Sequence, residues 1–178
     1  MARALAIGFF LALLSGCFPY ASSYVHLDAP GIKNLQSICG VGPPAIASFE
    51  SHGARFDVTL EPKAGAISKA GYLRLRAPQQ LAVSIPDPTA HFIQGEGVGQ
   101  RELRIDLVRV AHPENRHGAE LLLRRGLVDH YFDFVGLPPI SHPGSLRLPT
   151  VYLGGLAVTP PMFTFELRPF ATIVPLNC

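Results

Sequence analysis

The stretch Arg55-Phe56-Asp57-Val58-Thr59-Leu60-Glu61 decides the fold class, because polar and apolar residues alternate along it one by one. In an extended strand, successive side chains point to opposite sides of the chain. Phe56, Val58 and Leu60 would therefore share one face, and the polar residues would share the other. This pattern predicts a strand with one buried face.

The same alternation returns in five further stretches, at residues 72–76, 81–85, 102–107, 131–134 and 163–167. Turns rich in Pro and Gly separate them, and the chain contains 17 residues of each type. Many short strands with one apolar face bury those faces by packing two antiparallel sheets together. We therefore predict an all-β fold, an antiparallel β-sandwich. Residues 118–126 fit either one short helix or a buried strand.

The first residues of the chain have the three regions of an export signal. Arg3 supplies a positive charge, residues 4–14 are apolar, and the small residues Ser15 and Gly16 precede Cys17. The apolar run is too short to cross about 30 Å of hydrocarbon, and no later run is uninterrupted for roughly 20 residues. The sequence therefore predicts export and no transmembrane helix.

Leu14-Ser15-Gly16-Cys17 resembles the lipobox of bacterial lipoproteins. The resemblance implies that Cys17 becomes the acylated N-terminus and carries several lipid chains, which together make a durable anchor. Residues 1–16 would then be a signal peptide, residues 17–24 an acylated tether, and residues 25–178 a single domain. Phe18 stands where that class carries an Asp as its inner-membrane retention signal. In a bacterium with two membranes, the expected location is therefore the outer membrane, with the domain facing the periplasm.

Three cysteines in an exported chain leave an odd thiol unless one of them has another use. Lipidation of Cys17, which the lipobox resemblance implies, leaves Cys39 and Cys178 as a pair in an oxidising compartment. We predict a disulfide bond between them. Closing so long a loop is worth about 5 kcal/mol on the chain-entropy estimate.

Charge and motifs exclude some classes of function. The formal net charge is +2 and falls by one when Arg3 leaves with the leader, so no strong basic field favours nucleic acid. Gly95-Glu96-Gly97-Val98-Gly99 precedes a strand pattern rather than a helix, so it is interpreted as a hairpin loop and not as a phosphate-binding loop. No cofactor is expected.

Three groups of side chains are candidates for chemistry. His112 and His117 have a spacing seen at zinc sites, but no third or fourth ligand is evident nearby, and a solvated polar loop is the favoured interpretation. Asp129 and Asp133 are paired carboxylates but would lie about 13 Å apart on a strand, farther than glycoside hydrolysis uses. A further group of guanidinium side chains is a candidate for binding phosphate or carboxylate: Arg74, Arg76 and Arg104.

The sequence leaves three hypotheses of function open, and one of them, a purely structural envelope lipoprotein, differs from the leading hypothesis only in lacking a specific partner. The leading one is a lipid-anchored, non-enzymatic module of the cell envelope that binds a protein or another envelope component. The alternative is a metal- or carboxylate-dependent hydrolase of envelope polymers, which would depend on the His112 to His117 loop and on Asp129 and Asp133.

Overall fold

The computed structural model describes residues 17–35, 45–62, 71–95, 99–110 and 125–175. These residues form strands joined by turns and loops, and the predicted all-β antiparallel class is confirmed. None of the described residues forms a helix long and apolar enough to cross a membrane. Most of residues 118–126, for which a helix and a strand were both considered, lie outside the described part.

Thirteen strands are present in the described ranges, and six of them cover the stretches in which alternation predicted strands. Their bounds are β1 Cys17–Asp28, β2 Lys33–Leu35, β3 Ile46–Ser51, β4 Ala54–Leu60, β5 Gly71–Pro78, β6 Val83–Ser84, β7 Thr89–Gln94, β8 Arg101–Val110, β9 Leu127–Val135, β10 Gly144–Arg147, β11 Val151–Leu153, β12 Leu156–Val158 and β13 Phe163–Pro175.

Ten of these strands form one antiparallel sheet in the order β1-β13-β10-β7-β8-β9-β5-β4-β3-β2. The sheet curls on itself, so that β1 at one end contacts β3 and β4, which lie close to the other end. A second sheet has three strands in the order β12-β11-β6. The larger sheet is nearly closed, so the layout lies between the predicted two-sheet sandwich and a single wrapped sheet.

The core lies inside the curl, where the apolar faces of the strands meet. Phe56 stacks on Phe49 with ring centroids 4.5 Å apart, and Phe92 stacks on Phe165 at 4.8 Å. Phe56 and Phe92 are fully buried. Each such ring contributes about 1.5–3 kcal/mol of burial free energy, so these pairs stabilise the contact between the adjacent strands β3 and β4 and that between β7 and β13, which flank β10.

Gly144 allows β10 to lie close to β7 and β13. It pairs with Gln94 of β7 and with Phe165 of β13. A Cβ at this position would collide with the backbone oxygen of Ile93 and would lie 2.6 Å from the Phe165 ring. Both neighbours are held in the sheet, so the position requires a residue without a side chain.

We predict that Gly144→Ala lowers the free energy of unfolding by about 1–3 kcal/mol, because overpacking forces the strands apart. Denaturant unfolding measures the loss. Gly99→Ala is the matched control, since a Cβ at Gly99 meets no atom within 4 Å. Equal stability of the two variants would contradict the close approach of β10.

Candidate functional site

Two of the three predicted arginines, Arg74 and Arg76, lie on the outer face of β5 and bind carboxylates of the chain itself on the two neighbouring strands. Asp57 of β4 is only 2% exposed and lies opposite Arg74 of β5. Arg74 donates from Nε to one oxygen of Asp57 at 3.0 Å and adds a contact from Nη2. Arg55 donates from Nε to the other oxygen at 2.8 Å. The carboxylate is therefore held between two guanidinium groups.

The electrostatics of this group follow from its hydrogen bonds. Burial alone would raise the pKa of Asp57, but hydrogen bonds from Arg74, Arg55 and Ser48 outweigh it, and the pKa is lowered. Burial would likewise lower the pKa of Arg74, but Asp57 and Tyr131 raise it overall. Both groups are charged at neutral pH, so each compensates for the burial of the other.

Arg76 makes a second ion pair one row along the same face. Its Nε and Nη2 donate to the two oxygens of Asp129 in β9, at 2.9 and 3.1 Å. This is the two-pronged geometry that guanidinium and carboxylate groups prefer. Asp129 is 10% exposed, so an acid or base role would require this pair to break. Asp133 lies four residues along the same strand.

Arg104 does not join the other two arginines. It lies on β8, and β9 separates β8 from β5. Arg74 pairs with Tyr131, which pairs with Val110, and Arg104 lies six residues along β8 from Val110. Six residues of strand span about 20 Å, so the three side chains do not converge. Their role in ligand binding stays a prediction.

Other predicted residues lie outside the described part: His112, His117, Cys39 and Cys178. Cys17 is the first residue of β1, so residues 17–24, which were assigned to a tether, pair with β13 in this structure. Among the described residues, no group of three or more His, Cys, Asp or Glu is placed to hold a metal ion.

We expect Asp57→Asn to lower the free energy of unfolding by about 3 kcal/mol, because it leaves two partly buried guanidinium groups without their counter-charge. Urea unfolding measures the change. Asp106→Asn on the exposed face of β8 is the control, and it should cost no more than about 0.5 kcal/mol. Similar costs for both variants would show that the Asp57 group does not hold the strands together.

A cleft that the sequence analysis did not predict lies on the outer face of β1 and β13. Its volume is about 400 Å³. We call it the β1–β13 cleft and define it by the polar side chains that alternate along the two strands: His26, Asp28, Thr164, Glu166 and Arg168. Gly95, Pro143 and Gly144 complete the wall beside β10.

Most of these groups are oriented by neighbours. Arg168 donates from Nε to Glu166 at 2.6 Å and also bonds to Tyr24. The Thr164 hydroxyl donates to the backbone oxygen of Asp28 at 3.3 Å. Positive, negative and neutral hydrogen-bonding groups thus lie along one wall.

His26 lies opposite Glu166 and is the exception among these groups. Its Nδ1 is buried and has no hydrogen-bond partner. Burial lowers the pKa of His26 most, and the positive charge of Arg168 lowers it further. These two effects outweigh Asp28 and Glu166, which raise the pKa. The ring is therefore neutral at pH 7 and offers one donor and one acceptor.

We predict that His26 makes the protein less stable in mild acid. The folded chain holds the pKa of His26 below its ordinary value, so between the two pKa values the unfolded chain binds more protons. Stability is complete above about pH 6.5 and is lost as pH falls through the folded pKa. His26→Gln should therefore lose less stability than the parent between about pH 8 and pH 5.

Urea unfolding of both proteins at each pH measures this difference. The control is the difference in free energy of unfolding between the parent and His26→Gln at about pH 8, where His26 is neutral in both the folded and the unfolded chain. If this difference stays constant down to about pH 5, the result contradicts a lowered pKa of His26.

Comparisons with protein-family models, with curated proteins and with solved structures found no match for this chain. The β1–β13 cleft is therefore interpreted from its own residues alone. A period-two pattern does run through Tyr24, His26 and Asp28 and through Thr164, Glu166 and Arg168. It marks two polar strand faces, but nothing in the sequence shows that these faces adjoin.

Proposed function

We propose that this protein is an exported lipoprotein, acylated at Cys17 and held on the bacterial outer membrane with its domain in the periplasm. There it acts as a non-enzymatic binding module for a protein or another envelope component. The leader, the lipobox resemblance and Phe18 support the location. The β1–β13 cleft supports the binding role.

The chemistry of the cleft favours recognition over catalysis. The Thr164 hydroxyl already donates a hydrogen bond to the Asp28 backbone oxygen, and Glu166 already binds Arg168. The neutral ring of His26 can form hydrogen bonds with a ligand, and the carboxylate oxygens of Glu166 and Asp28 have lone pairs that can accept more of them. All these side chains stand on or at the ends of strands, so little ordering is needed when a ligand binds.

A second depression extends the cleft toward an apolar group. Its volume is about 460 Å³, and it shares Asp28 and Thr164 with the first. It is lined also by Met162, which is 50% exposed. Methionine adapts to partners of different shape. The combined surface suits a partner that presents polar groups beside an apolar side chain.

The strand β1 connects the proposed anchor with the cleft. It begins at Cys17 and carries His26 nine residues later, which is about 30 Å of extended chain. Because β1 pairs with β13 along this whole length, the connection is a strand rather than a loose linker. The cleft would therefore be held in a defined position near the membrane.

We expect a photo-reactive amino acid at position 164 to cross-link a partner in the native envelope. The same group at position 156, an exposed residue of β12, is the control. Intact mass of the purified protein, beside Cys17→Ala, tests acylation in the same preparation. An adduct specific to position 164 together with acyl mass that Cys17→Ala loses would support the proposal.

Two outcomes would contradict different parts of it. Recovery of the protein alone, or of identical adducts from both positions, would count against the binding role of the cleft. An unmodified Cys17 would remove the lipid anchor, whatever the cross-linking shows.

A further inference from the structure

The two ends of the described chain form a ribbon that leaves the core. Residues 17–23 of β1 pair with residues 169–175 of β13, and we call these seven pairs the terminal ribbon. In the part of the chain that the structure describes, β13 has β10 as its other neighbour only over residues 163–165. The ribbon therefore extends past the point where β10 stops flanking β13.

Burial marks the place where the ribbon leaves the core. On the inward face of β1, Val25 and Leu27 are fully buried. Farther along the same face, Ser23 and Ala21 are exposed, as are their partners Pro169 and Ala171. The inward face is thus part of the core at Leu27 and Val25 and is open to solvent at Ser23 and Ala21.

The composition of the terminal ribbon does not suit open water. Neither Cys-Phe-Pro-Tyr-Ala-Ser-Ser at 17–23 nor Pro-Phe-Ala-Thr-Ile-Val-Pro at 169–175 contains a charged residue. Charge begins at the next pairs, with Arg168 opposite Tyr24 and Glu166 opposite His26. An isolated two-stranded ribbon is only marginally stable in water, so an uncharged one calls for a surface that packs against it.

We propose that the terminal ribbon rests in the interfacial layer of the membrane that anchors the chain. The choice of this occupant rests on the proposed function, because the ribbon ends at Cys17, where the lipid would be attached. Anchor and ribbon would thus enter the same layer together.

The backbone hydrogen-bonding groups of the ribbon limit how deeply it can lie in the membrane. The outer edges of a two-stranded ribbon carry backbone groups without strand partners, and hydrocarbon does not satisfy them. The headgroup layer does, and it also accommodates the rings of Tyr and Phe. Phe170, which packs edge-on against Tyr24 at 6.1 Å, lies two pairs from Arg168. The charged residues of the β1–β13 cleft would then stay at the water boundary.

The chain contains no tryptophan, so a single introduced Trp reports one position. We would compare Ala171→Trp and Ala21→Trp, which are opposite each other in the ribbon, with Leu156→Trp in β12. Each full-length, exported protein is mixed with phosphatidylethanolamine and phosphatidylglycerol vesicles that carry quenchers on the acyl chains. Circular dichroism checks the fold, and the second ribbon variant replaces the first if that one fails to fold.

We expect the Trp at position 171 or 21 to shift its emission to shorter wavelength and to lose most of its intensity to the lipid quencher. The Trp at position 156 should keep its emission. A ribbon Trp that is shifted but not quenched would indicate a protein surface or a second copy, and would overturn the proposal. A ribbon Trp that does not change would also overturn it.

Intact mass of the same samples separates this inference from the proposed function. Acyl mass with an unquenched ribbon Trp would leave the anchor in place and reject contact of the ribbon with lipid. A quenched ribbon Trp without acyl mass would reject the anchor and support the contact.

Discussion

The antiparallel pairing of β1 with β13 is the constraint on which the rest of the structure depends. Twelve register pairs run from Cys17 opposite Pro175 to Asp28 opposite Thr164. Val25 and Leu27 complete the core beside β13, and the curl of the sheet then brings β1 against β3 and β4. The last pair joins residues 136 apart, so this contact requires a long loop to close.

The charged residues of the chain serve two different purposes on the outer face of the sheet. Asp57 is buried between Arg74 and Arg55, and Asp129 accepts both hydrogen bonds from Arg76. Such groups hold strands in register, and any ligand would have to compete with carboxylates already in place. In the β1–β13 cleft, by contrast, Asp28 and Arg168 are exposed to solvent. Burial therefore distinguishes the arginines that stabilise the fold from the surface that remains accessible to a partner.

The sequence predicted those features of the fold that depend on neighbouring residues. Alternation located β4, β5, β6, β8, β9 and β13, because period two is a local property of a strand. It did not locate β1, whose first residues, 17–24, were interpreted as an acylated tether. The partner of Arg74 was not predicted, because only the pairing of β4 with β5 brings it opposite Asp57. The cleft could not be predicted either, since its two walls come from opposite ends of the chain.

The packing of the core behind the cleft fixes the positions of the cleft side chains. Along β1, Val25 and Leu27 face inward, while His26 and Asp28 face outward. A slip of one residue would expose two fully buried apolar side chains and would force an imidazole and a carboxylate into the core. The apolar residues thus fix the register, and the register sets His26 opposite Glu166. The proposed binding in the cleft would therefore depend on the same alternation that forms the strands, because each outward-facing residue of β1 in the cleft is held in place by the buried residue next to it.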